Sequence, residues 1–353
     1  SGIDGTTGQV QGIAVKANQT ITFAALKTGL VLYPAIDYVG HVQVVPIGIP
    51  QELINETETK QFSLEKEEMK SILPKRFTRS NKGTYGKIII IGGQKGMSGA
   101  PTLASEAALK IGSGLVTAAV PESIHDIMEV KLTEVMTVPL RDEEGHIALE
   151  GVKQIKELIS NYTKVAIGPG LGRSEAAKKA VKEVLLSDKP CVIDADGLYY
   201  VSDMLEILKK RMAPTILTPH PGEMARLTGA TIEEILEHPI ENARQFAQKN
   251  KVILVLKIER TVIADETGNI YISRSGNNGM AKGGSGDVLT GLITGLWAQN
   301  IMPIEATKLG VYIQSRAGDL LVQKKNEYSL LPSDIYKEGI NLVIEDLVSK
   351  KQK

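Results

Sequence analysis

The sequence is poor in several features that mark common classes of protein. It has one cysteine, Cys191, which excludes an intrachain disulfide and a cysteine-based zinc cluster. Aromatic residues make up only 4% of the chain, which argues against a stacking platform for single-stranded nucleic acid. Lysine plus arginine and aspartate plus glutamate both number 41, so no net charge attracts nucleic acid or an anionic membrane. No apolar run approaches the roughly 18 residues of a membrane-spanning helix.

What the chain does have is the composition of an ordinary globular α/β protein. Its 353 residues allow two domains, and the 42% of hydrophobic residues suffice for a sizeable core. No signal peptide is recognisable, so we expect a cytoplasmic protein in a reducing compartment. Its expected partners are small molecules, with no nucleic acid and no membrane among them.

The first 50 residues look like the end of a larger domain. The chain opens at Ser1 with a stretch that resembles an internal loop and lacks an initiator methionine. Two short strand-like segments follow, and they are too little to bury a core of their own. We therefore expect 1–50 to be the C-terminal remnant of another α/β domain, 51–70 to be a linker and 71–345 to be the main domain.

From about residue 85 the chain alternates between buried strands and helices. Lys87 to Ile91 is a continuous β-branched run, typical of a strand buried on both faces. The alternation predicts a mostly parallel sheet with helices on both faces, whose loops after the strand ends carry the chemistry. Strands are predicted at 19–23, 41–45, 87–91, 115–119, 164–167, 191–194, 215–217, 252–257 and 261–264, and helices at 101–111, 151–160, 174–187, 222–228, 240–249, 288–299 and 304–324.

One glycine-rich loop, 276–287, carries the strongest chemical signal. It contains Gly-Gly-Ser-Gly at 283–286 and ends in Asp287, and an apolar helical pattern begins directly after it. Glycine lets backbone N–H groups approach a ligand, and a helix N-terminus favours phosphate. A carboxylate beside phosphate is unfavourable unless it has a task, and the obvious task is to deprotonate a hydroxyl that attacks phosphorus. The alternative is a structural turn in which Asp287 caps the helix.

Two other glycine-rich loops follow predicted strands. Residues 92–101 lack the Gly-Lys-Ser/Thr of a Walker loop, and they form either a ligand-facing turn or a purely structural one. Residues 168–172 read Gly-Pro-Gly-Leu-Gly and lack the Gly-x-Gly-x-x-Gly spacing. A tight ligand-facing turn is therefore favoured there over a Rossmann dinucleotide site, for which Asp194 would be the acidic partner.

Polar and charged residues follow three further strands. His220 lies between two prolines, which hold it stiffly and favour a ligand contact. Glu223 begins a helix, and it is either an acid favoured by the helix dipole or the partner of a magnesium-bound water. Asp194 and Asp196 are either phosphate–metal ligands or, for Asp196, a helix cap. Lys257 either holds a nucleotide phosphate or is simply solvated.

Taken together, these residues resemble the dehydratase half of the bifunctional NAD(P)H-hydrate repair enzymes. The resemblance spans about residues 70–340, and its matching stretches occur in the expected order. These stretches are 81–87, 98–100, 168–172, 192–198, 217–223 and 276–289. The family implies a ribokinase-like α/β fold. The first 50 residues resemble the end of the family's Rossmann-like NAD(P)H-hydrate epimerase domain, and we expect no epimerase activity from them alone.

The resemblance implies a nucleotide-driven dehydration. The substrate is the S form of NADHX or NADPHX, in which the nicotinamide ring carries a hydroxyl. Phosphorylation turns this hydroxyl into a good leaving group, and loss of phosphate restores NADH or NADPH. The family implies ADP as phosphoryl donor with release of AMP, or else ATP. It also implies Mg²⁺ as cofactor, K⁺ for the epimerase domain and a homo-oligomer such as a tetramer.

The resemblance also implies a role for each site residue. Asp287 is the base, and Gly284, Ser285 and Gly286 steady the transferring phosphoryl group. Ala100, Gly172, His220 and Asp287 contact the substrate. Lys257, Ile258, Glu259, Arg260, Thr261 and Gly286 contact the nucleotide, although the family usually has glycine in place of Ile258. Ser1 matches a K⁺ ligand of the epimerase domain, and Glu223 acts on magnesium through water.

Two other functions stay open at this point. A small-molecule kinase of the same fold would share the Gly-Ser-Gly-Asp chemistry but release a phosphorylated product. A non-catalytic nucleotide sensor would have no need of Asp287. The stretches 218–223 and 276–280 favour the dehydratase. The sequence leaves open the role of Lys282 and the preference between NADHX and NADPHX.

Overall fold

The computed structural model describes residues 2–349, apart from the side chains of Gln51 and Asn55. Its strands are β1 (Gln19–Phe23), β2 (His41–Val45), β3 (Gln61–Ser63), β4 (Lys87–Ile91), β5 (Leu115–Pro121), β6 (Met136–Leu140), β7 (Asp142–Glu143), β8 (His146–Ile147), β9 (Lys164–Ile167), β10 (Cys191–Ile193), β11 (Thr215–Leu217), β12 (Ile253–Leu256), β13 (Val262–Ala264) and β14 (Ile270–Ile272). Its helices are α1 (Ile36–Val39), α2 (Gln51–Asn55), α3 (Lys66–Ile72), α4 (Gly99–Lys110), α5 (His125–Lys131), α6 (Leu149–Leu158), α7 (Glu175–Leu186), α8 (Asp196–Val201), α9 (Leu205–Lys210), α10 (Pro221–Thr228), α11 (Ile232–Glu237), α12 (Pro239–Asn250), α13 (Ser285–Trp297), α14 (Pro303–Val322), α15 (Pro332–Asp334) and α16 (Ile340–Val348). Within this part of the chain, no helix is both long and apolar enough to cross a membrane.

A ten-stranded sheet forms the centre of the molecule. Its order is β3-β14-β13-β12-β11-β10-β9-β4-β5-β6. The strands from β12 to β6 are all parallel, and β13 is antiparallel to both of its neighbours. The predicted, mostly parallel sheet is therefore confirmed.

Three strands of this sheet, β3, β6 and β14, are absent from the sequence prediction. Strands β3 and β6 are the two edges of the sheet and carry partly exposed positions, and β14 is only three residues long. Edge strands are solvated on one side and lack the continuous apolar run of the central strands. The missed strands thus gave a weaker hydrophobic signal than β4 or β10.

Helices cover both faces of the sheet, and each face has its own hydrophobic core. Successive residues of a strand point to opposite faces. In β4, Ile89 and Ile91 belong to one core, whereas Ile88 and Ile90 belong to the other. All four side chains are fully buried. This double burial explains why the strand reads as an unbroken apolar run.

The N-terminal part forms a small parallel sheet and then joins the edge of the large one. Strands β1 and β2 pair in parallel, with α1 between them. The stretch predicted as a linker contains β3, which pairs with β14. The rings of Phe62 and Tyr271 stack across this pair with centroids 5.5 Å apart. The domain boundaries themselves stay a prediction.

The strand order reverses between β4 and β9, since β5 lies on one side of β4 and β9 on the other. In open α/β sheets, ligands bind at such a reversal, outside the carboxyl ends of the strands. Helix α4 follows β4, and α13 packs closely on it. A Cβ atom added at Gly291 would lie 2.1 Å from the carbonyl oxygen of Ala104, and one at Gly295 would lie 2.6 Å from that of Ala108. This close packing fixes where α13 begins.

Candidate active site

Glycine loops line the reversal point of the sheet. Gly92 follows β4, and a Cβ atom there would lie 2.1 Å from the carbonyl oxygen of Pro169 in the loop after β9. A Cβ atom at Gly168 would lie 1.8 Å from the carbonyl oxygen of Asp194, which follows β10. Only glycine allows the loops after these three neighbouring strands, β4, β9 and β10, to approach one another so closely. The sequence motifs of these loops therefore reflect packing between them.

The loop before α13 presents the start of that helix to the same crevice. Gly284 has φ of 102°, a left-handed conformation that other residues rarely adopt, and it is the N-cap of α13. The Ser285 hydroxyl donates to the carbonyl oxygen of Met280 at 2.7 Å, so it holds the loop. Lys282 Nζ donates to the carbonyl oxygens of Tyr328 and Leu330, both at 2.6 Å. Lys282 thus anchors the loop to the chain after α14.

A buried ion pair stands beside the start of α13. Lys257 Nζ, at the end of β12, lies 2.7 Å from Asp194 Oδ1. The other oxygen of Asp194 accepts a hydrogen bond from the Thr290 hydroxyl of α13 at 2.9 Å. A Cβ atom at Gly286 would lie 3.1 Å from Lys257 Nζ, which places this glycine against the pair. The network joins β10, β12 and α13.

A strained residue separates the two aspartates after β10. Ala195 has φ of 49° and ψ of −127°, which is unfavourable for a residue with a Cβ atom. The strain lets Asp194 turn to Lys257, while Asp196 Oδ2 accepts a hydrogen bond from the Gly172 amide at 2.9 Å. Asp196 is thus tied to the loop after β9, next to a predicted substrate contact.

The electrostatics of the crevice push two carboxyl groups toward neutrality. Burial raises the pKa of Asp287 to about 7, and the charges of Asp194 and Asp196 add to this while Lys257 opposes it. Burial likewise raises the pKa of Glu223 to about 7, against the opposing charge of Lys257. A carboxyl group with a pKa near the working pH is suited to general-base catalysis.

Within the ion pair, charge attraction outweighs burial. Burial alone would raise the pKa of Asp194, but the Lys257 ammonium group lowers it overall. Burial alone would lower the pKa of Lys257, but the charges of Asp194 and Glu223 raise it overall. Both groups are therefore charged at neutral pH.

His220 caps helix α10 and is held as a neutral ring. Its Nδ1 atom accepts hydrogen bonds from the amides of Gly222 and Glu223, at 3.0 and 3.3 Å, and the Glu223 carboxylate accepts the His220 amide at 2.8 Å. Burial, together with the charge of Lys257, lowers the pKa of His220. The proton of the neutral ring is therefore on Nε2, which lies 3.5 Å from Glu223 Oε1. Glu223 Oε2 is also 4.0 Å from Lys257 Nζ, so His220 and Glu223 belong to the same crevice.

The predicted substrate contacts lie on the facing loops. Ala100 is near the start of α4, and its Cβ atom would be 3.2 Å from a Cβ atom at Gly170. Gly172 has φ of 77° and lies against the end of the Gln94 side chain, so a larger residue there would be strained and would displace Gln94. The structure thus brings Ala100 and Gly172 to adjoining loops, and Asp196 connects Gly172 to the strand that also presents Asp194.

The predicted nucleotide segment, 257–261, connects β12 and β13. Lys257 is one member of the buried ion pair, Ile258 packs against the apolar core, and Glu259 is exposed. Arg260 Nη1 donates to the carbonyl oxygens of Arg274, at 2.5 Å, and Gly276, at 3.5 Å. Thr261 accepts the amide of Ser273 through its carbonyl oxygen. The segment is thereby linked to the loop that leads to Asp287, although the Ile258 side chain turns inward.

Some site residues escaped the sequence analysis, and one lies beyond the structure. Thr290 gave no signal because it sits inside an apolar helix, and only its spacing of one turn from Gly286 could have suggested it. Asp319 of α14 accepts hydrogen bonds from the Gly276 amide and the Asn277 side chain, so it shapes the start of the loop. Ser1, the predicted K⁺ ligand, lies outside the described residues. Within 2–349, no group of three acidic, histidine or cysteine residues is placed to hold a metal ion by itself.

Comparison with known proteins identifies the family of this chain. Residues 88–341 match the NAD(P)H-hydrate dehydratase family. A bifunctional NAD(P)H-hydrate repair enzyme from Moorella thermoacetica is 41% identical over 337 residues, which cover 95% of this chain and 64% of that protein. The chain therefore spans somewhat less than two thirds of the length of this relative.

Solved structures give the same fold. An ADP/ATP-dependent NAD(P)H-hydrate dehydratase from Bacillus subtilis, crystallised with ATP and Mg²⁺, matches with a TM-score of 0.71 and 31% identity over 81% of this chain and 98% of its own. A ribokinase-like superfamily protein from Enterococcus faecalis matches with a TM-score of 0.70 and 28% identity over 81% of this chain and 96% of its own. The predicted ribokinase-like fold is confirmed, and the chain belongs to the NAD(P)H-hydrate dehydratase family.

Proposed function

We propose that this chain dehydrates the S form of NADHX or NADPHX to NADH or NADPH, driven by an adenine nucleotide. The observation that carries the proposal is Asp287, a carboxyl group whose pKa is raised to about 7 at the start of α13. It lies in the electrostatic reach of Lys257, next to backbone amides suited to an anion. Membership of the dehydratase family supports the same reaction.

The proposed chemistry has two stages. Asp287 takes the proton of the substrate hydroxyl, and the hydroxyl oxygen attacks the terminal phosphorus of the nucleotide as the phosphorus–oxygen bond to the leaving nucleotide breaks. The carbon–oxygen bond then breaks with loss of phosphate, and a proton leaves the neighbouring ring carbon, which restores the double bond. The backbone amides of 284–286 stabilise the phosphoryl group during its transfer. The transfer is needed because water is a far poorer leaving group than phosphate.

The proposed ligand contacts follow the two sides of the crevice. Ala100, Gly172 and His220 would contact the substrate. The segment 257–261 and Gly286 would contact the nucleotide. We favour ADP as donor, with AMP as product, and ATP as the alternative. The related Bacillus subtilis enzyme is described as dependent on either nucleotide.

The residues of the crevice fit a magnesium ion that arrives with the nucleotide. Mg²⁺ in such sites is held by one or two carboxylates and by phosphate oxygens. The Glu223 carboxyl group is 17% exposed and faces the crevice, so it would hold the ion through water. Bound there, the ion would neutralise phosphate charge.

Other parts of the proposal concern the whole protein. We propose a cytoplasmic location, with which the single, buried and free cysteine, Cys191, is consistent. A homo-oligomer, such as a tetramer, and K⁺-dependent epimerase activity are proposed for the full-length protein. The Moorella thermoacetica relative is a bifunctional repair enzyme, which supports this part of the proposal.

A coupled assay tests the reaction. The protein is mixed with NADHX, Mg²⁺ and either ADP or ATP, and recovery of the near-ultraviolet absorbance of NADH is followed together with free phosphate. We expect one phosphate per NADH formed, and only with nucleotide present. A stable phosphorylated product without NADH would favour the kinase instead, and binding of nucleotide without any turnover would favour the sensor.

Asp287→Asn tests the base. General-base catalysis contributes about 10² to 10⁴ in rate, so turnover should fall by about that factor while nucleotide affinity is kept. Asp203→Asn is the matched control, since Asp203 is an exposed carboxylate paired with Lys178. Wild-type turnover by Asp287→Asn would rule out the assigned role.

A further inference from the structure

Two arginines stack on one tyrosine at the rim of the crevice. The guanidinium carbon of Arg173 lies 4.3 Å from the ring centroid of Tyr199, and that of Arg226 lies 4.1 Å from the same centroid. Both arginines are exposed, and Tyr199 is partly buried. Each stack is a cation–π contact, which limits the freedom of a long side chain.

This cluster is attached directly to the predicted substrate contacts. Arg173 follows Gly172, and its Nε atom lies 3.8 Å from Asp196 Oδ1. Arg226 is on α10, the helix whose N-cap is His220. Tyr199 is on α8, the helix that starts at Asp196. Asp196 also accepts the Gly172 amide at 2.9 Å, so one carboxylate contacts both Arg173 and a predicted substrate contact.

The turn that carries Arg173 is held rigidly. The Tyr200 hydroxyl accepts the amide of Ser174 at 2.7 Å and lies 3.3 Å from the carbonyl oxygen of Gly172. The rings of Tyr199 and Tyr200 meet edge to face with centroids 5.2 Å apart. One helix therefore fixes both the backbone of Arg173 and the ring on which its guanidinium lies.

The two guanidinium groups have donors to spare. Among the described residues, Arg226 has no hydrogen-bond or ion-pair partner, and Arg173 has only the longer contact with Asp196. Both guanidinium carbons lie within 4.3 Å of one centroid, so the two charges are at most about one Debye length apart at physiological salt and repel each other. An anion bound at this rim would lessen the repulsion, and the planar guanidinium group matches phosphate in geometry.

We propose that Arg173 and Arg226, held on Tyr199, bind a phosphate group of the dinucleotide substrate. The inference rests on the proposed function, which supplies a substrate with a pyrophosphate and, in NADPHX, a 2′-phosphate. We place the hydrated ring at Asp287, and the contacts of Asp196 with Gly172 and Arg173 then lead the phosphate-bearing part of the molecule to this rim. The pyrophosphate and the 2′-phosphate share one chemistry, and the experiment separates them.

The test compares Arg226→Gln and Arg173→Gln with the wild type. We expect each change to raise KM for the hydrated dinucleotide about 10-fold, to weaken its dependence on salt, and to leave KM for ADP and kcat within about twofold. A rise in KM for both NADHX and NADPHX identifies the pyrophosphate as the group that the arginines bind. A rise in KM for NADPHX alone identifies the 2′-phosphate. An unchanged KM for both substrates, or an equal rise in KM for ADP, would overturn the proposal.

Arg76→Gln is the matched control. Arg76 also stacks on a tyrosine, Tyr85, at 3.9 Å, but it donates to the carbonyl oxygen of Gly112, and both partners precede strands, at the amino ends of β4 and β5. We expect it to leave every KM unchanged. Fluorescence titration with NADH and NADPH, the products, keeps the inference separate from the proposed reaction. If the wild type binds them but the two variants bind them equally well, the inference fails whether or not the reaction occurs.

Discussion

Lys257 lies among three carboxyl groups, those of Asp194, Glu223 and Asp287, whose charges one ammonium group cannot balance. Asp194 makes the closest contact with it, at 2.7 Å, and stays ionised. Glu223 lies farther away, at 4.0 Å, and the pKa values of Glu223 and Asp287 both rise to about 7. The ion pair thus leaves Asp287 basic enough to accept a proton at neutral pH.

The pH dependence of the reaction follows from this arrangement. A carboxyl group acts as a base only when ionised, so kcat/KM should rise about tenfold per pH unit up to about pH 7 and then level off. Asp196 raises the pKa of Asp287, so Asp196→Asn should move this limb to lower pH. A pH–rate profile of the two proteins checks this, and a limb that stays in place or moves upward contradicts it.

The buried pair should also matter for stability. Asp194→Asn leaves the Lys257 charge without its partner, and we expect a loss of about 3 kcal/mol in the free energy of unfolding. Thr290→Val removes one hydrogen bond to a charged group and should cost about 2 kcal/mol. Urea unfolding measures both.

Thr294→Val is the control on the same helix, because the Thr294 hydroxyl donates only to the carbonyl oxygen of Thr290. We expect a loss well under 1 kcal/mol for it, since that carbonyl group already takes part in the helix. If Thr290→Val and Thr294→Val lowered stability equally, the hydrogen bond to Asp194 would have no special weight.

At the scale of elements, the position of α13 depends on its contact with α4. Gly291 faces the backbone of Ala104, where a Cβ atom would lie 2.1 Å from the carbonyl oxygen. Helix α4 follows the strand at the reversal point, so the contact sets where the Asp287 end of α13 stands. The two helices act as one support for the glycine-rich loop that ends at Asp287.

Gly291→Ala should therefore push the helices apart and lower the free energy of unfolding by about 1–3 kcal/mol. Gly99→Ala is the control, because a Cβ atom at this first residue of α4 would meet nothing within 4 Å. Alanine also favours a helix over glycine, so we expect Gly99→Ala to be neutral or slightly stabilising. Thermal unfolding of both variants measures the effect. An equal loss of stability in Gly291→Ala and Gly99→Ala would contradict a role for the packing of α13 on α4.

At the scale of the whole molecule, the crevice is assembled from loops of one sheet, whereas β1 and β2 form a separate one. ADP bound in the crevice should slow hydrogen exchange in 253–261 and 276–289. At an ADP concentration of 100 times Kd, it should raise the free energy of unfolding by about 3 kcal/mol and therefore also raise the Tm. Exchange in 19–23 and 41–45 should not change. Protection of β1 and β2 as strong as that of the crevice would contradict this assignment of the nucleotide site.

The sequence by itself determined the central strands and the chemistry-bearing loops. Strands such as β4 are buried on both faces, so their apolar runs are continuous and local. The loop before Asp287 was readable because close backbone approach requires glycine at neighbouring positions. The half-exposed edge strands β3 and β6 carried no such local pattern.

Only the tertiary structure decided which side chains meet. Lys257 and Asp194 are 63 residues apart in the chain, and Thr290 and Asp194 are 96 apart. The roles of these residues stayed open in the sequence because the order of strands in the sheet sets their contacts. The raised pKa of Asp287 likewise comes from burial and from charges on distant loops, which no local pattern encodes. The sequence thus showed which residue types follow each strand, whereas only the fold determined which charges surround them.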